Sequence, residues 1–215
     1  MNPRIGILTI AAAFATPAFA DAFDDGLSAI QQEWAVANYQ TTDDSARSKA
    51  FAALVEHATA FREQHPARAE AVAWEGIVLS TYAGEVSAMS AMKYAKAARV
   101  ALEQAEKLDP RALSGGIYAS LGALYSKVPG GLIGFGDDKR AAQYFEKALT
   151  VDPDNIDNNF FFGEFLVDQG EYTHARTVLE HALAAPTVVG RPVFDAGRRQ
   201  EIRALLATVE HKVAS

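Results

Sequence analysis

The sequence predicts an all-α fold, an α-solenoid of about four helical hairpins followed by a C-terminal capping helix. Three features of the sequence predict this fold. Two alanines around one bulky residue recur three times, with spacings of four and then three residues, which places each triplet on one face of a helix. A proline follows each triplet within five residues and ends the helix. A glycine precedes each triplet in an apolar helical pattern.

Residues 1–20 have the three parts of a secretory leader, with cleavage expected after Ala20. Arg4 supplies the early positive charge, a short apolar run follows it, and Ala18 and Ala20 are the small residues of the cleavage site. We therefore expect a signal peptide over residues 1–20, a helical-repeat domain over residues 21–215, and a periplasmic location. A membrane span needs roughly 20 apolar residues, and we expect none after leader cleavage.

The composition excludes several classes of function. The 215 residues are 49% apolar and 22% charged, which excludes disorder, and the formal net charge is −7. Because this charge repels phosphate backbones and anionic lipid, neither nucleic acid nor a membrane surface is expected as the main partner. The chain has no cysteine, and no His-Glu-x-x-His or Gly-x-Ser-x-Gly motif occurs. We predict that the protein is not an enzyme and has no cofactor and no metal.

The first hairpin is the weakest copy of the repeat pattern. Trp34 and Tyr39 lie in its first helix, and Leu54, Ala58 and Phe61 lie in its second helix before a proline. The small and large positions are exchanged relative to the other copies. Such an exchange is expected for a terminal repeat, because it packs against a different neighbour.

The next three hairpins carry the full pattern, with the glycine in the first helix and the triplet in the second. In chain order the sets are Gly76 with Ala98, Leu102 and Ala105; Gly122 with Ala141, Phe145 and Ala148; and Gly163 with Ala175, Leu179 and Ala182. The glycine removes a side chain where two helices touch, and the bulky residue fills the space between the closely packed alanines. Twelve residues separate glycine from triplet in the last set, and the other two sets carry insertions.

A last helix is expected to start near Asp195 and to cap the stack. Its apolar stripe consists of Ile202, Leu205, Leu206 and Val209. Four arginines make this region basic within an acidic protein: Arg191, Arg198, Arg199 and Arg203. Near a helix start these charges oppose the helix dipole unless they pair with acids such as Asp195 or Glu201. Structural ion pairing is the favoured interpretation, and binding of a carboxylate ligand is the alternative.

The repeated order of glycine, alanine, bulky residue, alanine and proline resembles the tetratricopeptide repeat (TPR), a helix-turn-helix unit of roughly 34 residues. The last copy, which contains Gly163, matches best, and insertions stretch the two copies before it. The resemblance implies a TPR-like α-solenoid.

The third hairpin contains a glycine-rich insertion over residues 130–138. No strand precedes it and no Gly-Lys-Ser/Thr follows it, so a phosphate-binding loop is not favoured. One interpretation is an ordered loop in which Asp137 caps the next helix and Leu132, Ile133 and Phe135 pack against the stack. The other, which overlaps with it, is a surface that binds a partner protein.

The aromatic run near residue 160 is the most informative stretch. Phe162 and Leu166 suit the hairpin core, which leaves Phe160 and Phe161 on the other side. They either pack on the preceding repeat or on the glycine-rich loop, or they line a concave groove or central channel for an apolar or amphipathic ligand. We expect polar neighbours for such a groove at Tyr118, Tyr125 and Asn159. The residues expected to bind a ligand or a partner are therefore Tyr118, Tyr125, Phe135, Asn159, Phe160, Phe161 and Arg198.

A closer resemblance rests on segments that occur in a fixed order. They are Ala-Ser-Leu-Gly at 119–122, Val-Pro-Gly-Gly…Gly-Phe-Gly-Asp at 128–137, the aromatic run at 160–165, and Gly-Arg-Pro…Asp-Ala-Gly-Arg at 190–198. Over about residues 25–210 the chain resembles the T-component (TatT) family, periplasmic TPR-like proteins associated with TRAP transporters. The resemblance implies association with the transporter's solute-binding subunit, organic acids or small hydrophobic solutes as ligands, and ring-like homo-oligomerisation around a pore. Well-known members are lipoproteins, and this chain lacks their cysteine.

We therefore predict a non-enzymatic periplasmic scaffold that binds a TRAP-type solute-binding subunit and a small hydrophobic or organic-acid ligand. Partner contact is expected through the concave helices and the 130–138 loop. The alternative is a generic cell-envelope assembly adaptor, with another envelope protein as its partner and no role in transport.

Overall fold

The computed structural model describes residues 18–214, and every regular element in that range is helical. Most of the expected leader, residues 1–17, lies outside the described residues. The helices of the described range are α1 (Ala18–Tyr39), α2 (Asp44–Gln64), α3 (Ala69–Glu85), α4 (Ala88–Leu108), α5 (Gly116–Lys127), α6 (Asp138–Val151), α7 (Ile156–Asp168), α8 (Tyr172–Ala184) and α9 (Pro192–Val213). Among them none is both long and apolar enough to cross a membrane.

Consecutive helices pair as hairpins: α1 with α2, α3 with α4, α5 with α6, and α7 with α8. The last helix, α9, packs against α8 at the end of the stack. The predicted all-α solenoid of four hairpins and a capping helix is therefore confirmed.

The glycine and bulky residue of each predicted set meet across the hairpin. Every member of the three triplets is fully buried. A Cβ atom added to the glycine would lie 2.7 Å from Leu102 in the second hairpin, 2.7 Å from Phe145 in the third and 2.6 Å from Leu179 in the fourth. These distances are too short for a side chain. Glycine is therefore what allows the two helices of each hairpin to pack so closely.

The C-terminal helix begins earlier than the sequence predicts, at Pro192 rather than near Asp195. Proline suits this place because its fixed φ fits the first turn and the helix has no partner there for a backbone N–H. Along the predicted stripe, Ile202 and Val209 are fully buried and Leu206 is nearly so.

The C-terminal helix also returns to the first helix, which closes the stack on itself. Gly197 of α9 lies so close to Tyr39 of α1 that an added Cβ would collide with the ring. The Tyr39 hydroxyl donates a 2.9 Å hydrogen bond to Glu201 Oε2. One continuous core contains Ile30 of α1 together with Ile202 of α9. The first and last helices of the stack, α1 and α9, therefore share one hydrophobic core.

Candidate functional site

A cavity of about 440 Å³ opens among α1, α3, α5, α7 and α9. These are the first helices of the four hairpins together with the capping helix, so the cavity lies on the inner side of the stack. Its volume falls within the range of pockets that hold small molecules.

Five aromatic side chains form much of the cavity wall: Trp34, Trp74, Phe160, Phe161 and Phe194. The ring centroid of Trp34 lies 6.4 Å from that of Trp74 and 6.4 Å from that of Phe194. Trp34 is held in place because its Nε1 donates a 2.9 Å hydrogen bond to Thr81 Oγ1. The aromatic wall therefore draws on α1, α3, α7 and α9, and no single repeat supplies it.

Arg198 is the best-partnered charge in the cavity wall. Its side chain is buried and its Nε lies 2.7 Å from Asp157 Oδ1. Its Nη1 donates a 2.7 Å hydrogen bond to Glu201 Oε2. The guanidinium also lies 4.2 Å from the Phe160 ring centroid and 4.9 Å from that of Phe161. Burial opposes its charge, but Asp157 and Glu201 outweigh burial and hold the pKa of Arg198 above its ordinary value.

One wall of the cavity is a backbone turn with three successive residues at positive φ. These are Leu113 at 56°, Ser114 at 49° and Gly115 at 90°. Left-handed conformations are unfavourable for side chains with a Cβ, so the surrounding structure must hold this turn in place. The Asn158 amide does so, because it donates to the carbonyl oxygens of Ser114, Ala148 and Asp152 at 3.0–3.1 Å.

The structure brings together three of the seven sequence-predicted binding residues. Phe160, Phe161 and Arg198 all line the cavity. Asn159 does not line it, because its amide donates to the carbonyl oxygens of Pro153 and Asn155 and secures the turn before α7.

The expectation that Tyr118 and Tyr125 lie beside Phe160 and Phe161 is wrong. Both tyrosines flank Tyr144 of α6 instead, with centroid distances of 6.2 Å and 5.6 Å. They point towards the second helix of their own hairpin, whereas the cavity lies on the opposite side of α5. Periodicity gives the face of a helix but not which of two neighbours that face meets.

Phe135 belongs to this second aromatic cluster rather than to the cavity. Its ring meets Tyr125 edge-on at 5.5 Å and lies 4.3 Å below the Arg99 guanidinium. The Tyr125 hydroxyl donates to Glu103 Oε1 at 3.2 Å. Burial raises the pKa of that hydroxyl, and the charge of Arg140 above the ring opposes the rise. The cluster therefore anchors the 130–138 loop to the stack.

Asp137 caps α6 as the sequence predicts, since its carboxylate accepts from the N–H groups of Lys139 and Arg140. Packing of the loop against the stack is confirmed for Phe135, and the same expectation is wrong for Leu132 and Ile133. At the loop tip, Leu132 is fully exposed and Ile133 is largely exposed.

Ion pairing in the basic segment is confirmed for Arg198 and for Arg199. Arg199 Nε lies 3.0 Å from Asp195 Oδ2, and Arg199 also donates to the carbonyl oxygens of Leu183 and Ala185. The backbone N–H of Val188 donates to Asp195 Oδ1 at 3.0 Å. These contacts fix the connection between α8 and α9.

We expect the Asp195 carboxylate to make the free energy of unfolding depend on pH in the acid range. Burial alone would raise its pKa, but hydrogen bonds from Arg199 and Val188 outweigh burial and hold the pKa below its ordinary value. A lowered native pKa adds stability above the unfolded pKa, about 3.9, and that stability is lost as the pH falls through the native pKa. We expect Asp195→Asn to cost about 1–3 kcal/mol at pH 7 and clearly less at pH 3. Urea unfolding at both pH values measures this, with Asp24→Asn on the exposed face of α1 as control; an equal cost at both values would contradict the assignment.

Sequence reasoning missed several residues of the cavity, above all Trp74 and Phe194, and considered Arg191 only within the basic segment, with carboxylate binding as the alternative role. The two tryptophans of the chain both line the cavity, and the basic segment supplies both of its arginines. The two tryptophans and the basic segment were therefore the features of the sequence from which these cavity residues could have been predicted. The described residues contain no group of three or more His, Cys, Asp or Glu side chains that could hold a metal ion. The arrangement is chemically suited to binding an apolar molecule that carries charge.

Comparison with known proteins supports the architecture. Residues 132–187, which contain α6, α7 and α8, match the tetratricopeptide repeat family. A thermophilic TPR protein of Thermus thermophilus is similar in structure, with a TM-score of 0.57 and 16% sequence identity, over 90% of this chain and 94% of that chain. The curated proteins contain no match. The chain is thus a TPR-like protein with an α-solenoid fold, a fold typical of protein–protein interaction scaffolds.

Proposed function

We propose that this TPR-like protein is a non-enzymatic periplasmic scaffold that binds a TRAP-type solute-binding subunit through the 130–138 loop. We further propose that its cavity receives a small hydrophobic or organic-acid ligand. The exposed apolar pair Leu132 and Ile133 is the observation that carries the first part. The leader pattern in residues 1–20 supports the location, and the resemblance to the T-component family supports the identity of the partner.

The loop presents its apolar pair from a closely packed base. The backbone N–H of Gly136 donates to the carbonyl oxygen of Pro129 at 3.1 Å, and that of Asp137 donates to the carbonyl oxygen of Tyr125 at 2.9 Å. A Cβ atom on Gly134 would collide with the Pro129 carbonyl oxygen. The base of the loop is therefore fixed, so a partner would lose little of its binding energy in ordering it.

Leu132 and Ile133 have relative exposures of 108% and 75%. Burying an exposed leucine or isoleucine side chain contributes about 1.5–3 kcal/mol. Two adjacent apolar side chains on a fixed loop therefore offer a compact anchor for a partner, and the acidic chain disfavours nucleic acid in that role.

The Leu132→Ser/Ile133→Ser double variant should bind the partner at least about tenfold more weakly, because it removes apolar area that the partner would contact. Both side chains are exposed in the free protein, so the substitutions remove no buried contact there. Val189→Ser is the matched control, since Val189 is 94% exposed in a different loop. Tagged wild-type and variant proteins are used to capture partners from periplasmic extract, followed by titration calorimetry with the purified solute-binding subunit that mass spectrometry identifies.

Three results would separate the alternatives. Loop-dependent capture of a TRAP-type solute-binding subunit supports the proposal. Loop-dependent capture of a different envelope protein favours the generic assembly adaptor. Equal capture by wild-type and the double variant contradicts the role of the loop. Cell fractionation with N-terminal analysis tests the location, because the exported form should begin at Asp21.

A further inference from the structure

Arg191 is a cation at the cavity wall that forms no direct ion pair among the described residues, in contrast to Arg198 and Arg199. Its Nε is buried and has no hydrogen-bond partner within the described part of the chain, where no carboxylate forms an ion pair with it. The guanidinium carbon lies 4.0 Å from the Phe194 ring centroid and 5.5 Å from that of Trp74. Burial is the largest influence on Arg191 and lowers its pKa; the charge of Asp157 opposes this effect, and the charge of Arg198 adds to it. An anionic group bound beside Arg191 would favour the charged guanidinium and so offset both its burial and the charge of Arg198.

Trp74 provides a second unpartnered donor in the same wall. Its side chain is 5% exposed, and its indole N–H has no acceptor among the residues that the structure describes. The other tryptophan, Trp34, does have an acceptor in Thr81. A buried donor without a partner costs free energy, so an acceptor from a ligand would be favoured at this place.

The start of α9 adds a favourable electrostatic field at the same point. Arg191 is the N-cap residue of this helix, and no side chain caps its first N–H groups. Helix N-termini favour negative charge. Three features therefore favour an anionic acceptor here: the Arg191 guanidinium, the Trp74 indole N–H and the uncapped end of α9.

The other charges of the cavity limit the ligand to a single negative charge. Asp157, Glu164 and Glu201 all line the cavity. Arg198 already pairs with two of them, and Lys127 lies 3.3 Å from Glu164. A second anionic group on a ligand would face these carboxylates without a free cation to balance it.

We propose that the cavity binds a small monocarboxylate with a flat apolar body, whose carboxylate accepts from Arg191 and from the Trp74 indole N–H. The apolar body lies against Phe194 and Phe160. The guanidinium of Arg191 lies over the Phe194 ring and that of Arg198 lies over the Phe160 ring. This inference rests on the part of the proposed function that places a small ligand in the cavity, and it is independent of the loop.

Tryptophan fluorescence offers a direct test, because the two tryptophans of the chain both line the cavity. Phenylacetate is the probe, with phenylacetamide as its neutral analogue and phenylmalonate as its dianionic analogue. We expect saturable binding of phenylacetate, with both analogues at least about tenfold weaker. Titration calorimetry measures the same affinities if the fluorescence does not change.

Two variants and one control locate the carboxylate. Arg191→Gln should weaken phenylacetate binding at least about tenfold while changing phenylacetamide binding little, because only the charge-assisted contact is removed. Trp74→Phe replaces the indole with a smaller aromatic ring that has no N–H and should weaken binding several-fold, with Trp34 as the remaining reporter. Arg203→Gln, on the exposed face of α9, should bind as wild-type does. Circular dichroism checks that each variant is folded.

The proposal is overturned if phenylacetate and phenylacetamide bind equally. It is also overturned if folded Arg191→Gln binds phenylacetate as wild-type does, or if wild-type shows no saturable binding. Partner capture keeps the two proposals separate. Arg191→Gln should still capture the partner, and the Leu132→Ser/Ile133→Ser variant should still bind phenylacetate, so failure of one leaves the other standing.

Discussion

The Phe145→Ala variant should lose about 3–5 kcal/mol of unfolding free energy. Phe145 is fully buried and fills the space that Gly122 leaves between α5 and α6. Its ring also lies 5.4 Å from Phe165 and 5.9 Å from Phe162 of the next hairpin. Removing the ring therefore opens a cavity both within the third hairpin and at its junction with the fourth. Urea unfolding followed by circular dichroism measures the loss.

A double-mutant cycle with Gly122→Ala tests the reason for this loss. An added Cβ at Gly122 would lie 2.7–2.9 Å from three atoms of the Phe145 ring, so Gly122→Ala alone should destabilise by about 1–3 kcal/mol. In the Phe145→Ala background the same change should stabilise by up to about 1 kcal/mol, because alanine favours a helix more than glycine does. Gly84→Ala in α3 is the control, since its Cβ would meet nothing within 4 Å. An unchanged cost of Gly122→Ala in both backgrounds would contradict the proposed packing.

Asn158→Leu should also destabilise by about 3–5 kcal/mol, because three backbone carbonyl oxygens would each lose the hydrogen bond from its amide, and the Ala148 oxygen would keep the Asp152 N–H as a donor. Those oxygens belong to Ser114, Ala148 and Asp152. Asn158 is fully buried, so water cannot replace the amide without rearrangement. Asn158→Asp should be worse at neutral pH, since a carboxylate would face the same oxygens. Urea unfolding at pH 7 measures both variants.

The order of the two Asn158 variants is the informative part of that experiment. A loss below about 1 kcal/mol for Asn158→Leu would show that the left-handed turn at residues 113–115 does not depend on this amide. Asn158→Asp as stable as Asn158→Leu would show that the three carbonyl oxygens do not surround the side chain as described.

The hairpin architecture could be predicted from the sequence because the determining contacts are local. Gly122 and Phe145, like Gly163 and Leu179, belong to adjacent helices, and their repetition at fixed spacing makes the pattern visible. The sequence places the start of α9 three residues late, because a proline can either end a connection or begin a helix.

The cavity was only partly predictable because long-range closure forms it. Phe160 and Arg198 could be singled out by composition, but nothing in the sequence pairs Tyr39 with Gly197 or places Trp74 beside Arg191. The same limit explains the error with Tyr118 and Tyr125. Their helix face could be inferred, but the neighbour on that face depends on how the hairpins stack.

The closure of α9 on α1 is the central claim, since it brings Arg191 and Phe194 to the aromatic wall of the first two hairpins. Double electron–electron resonance between spin labels at Gln40→Cys and Arg203→Cys measures it most directly. The chain has no cysteine of its own, and both positions are exposed near the contact between Tyr39 and Glu201. Gly197→Leu provides the comparison, because any Cβ at that position collides with the Tyr39 ring.

A closed stack predicts one short and narrow distance distribution, which Gly197→Leu lengthens and broadens. A long or broad distribution that Gly197→Leu leaves unchanged would contradict the closure, and with it the cavity on which the ligand proposals depend.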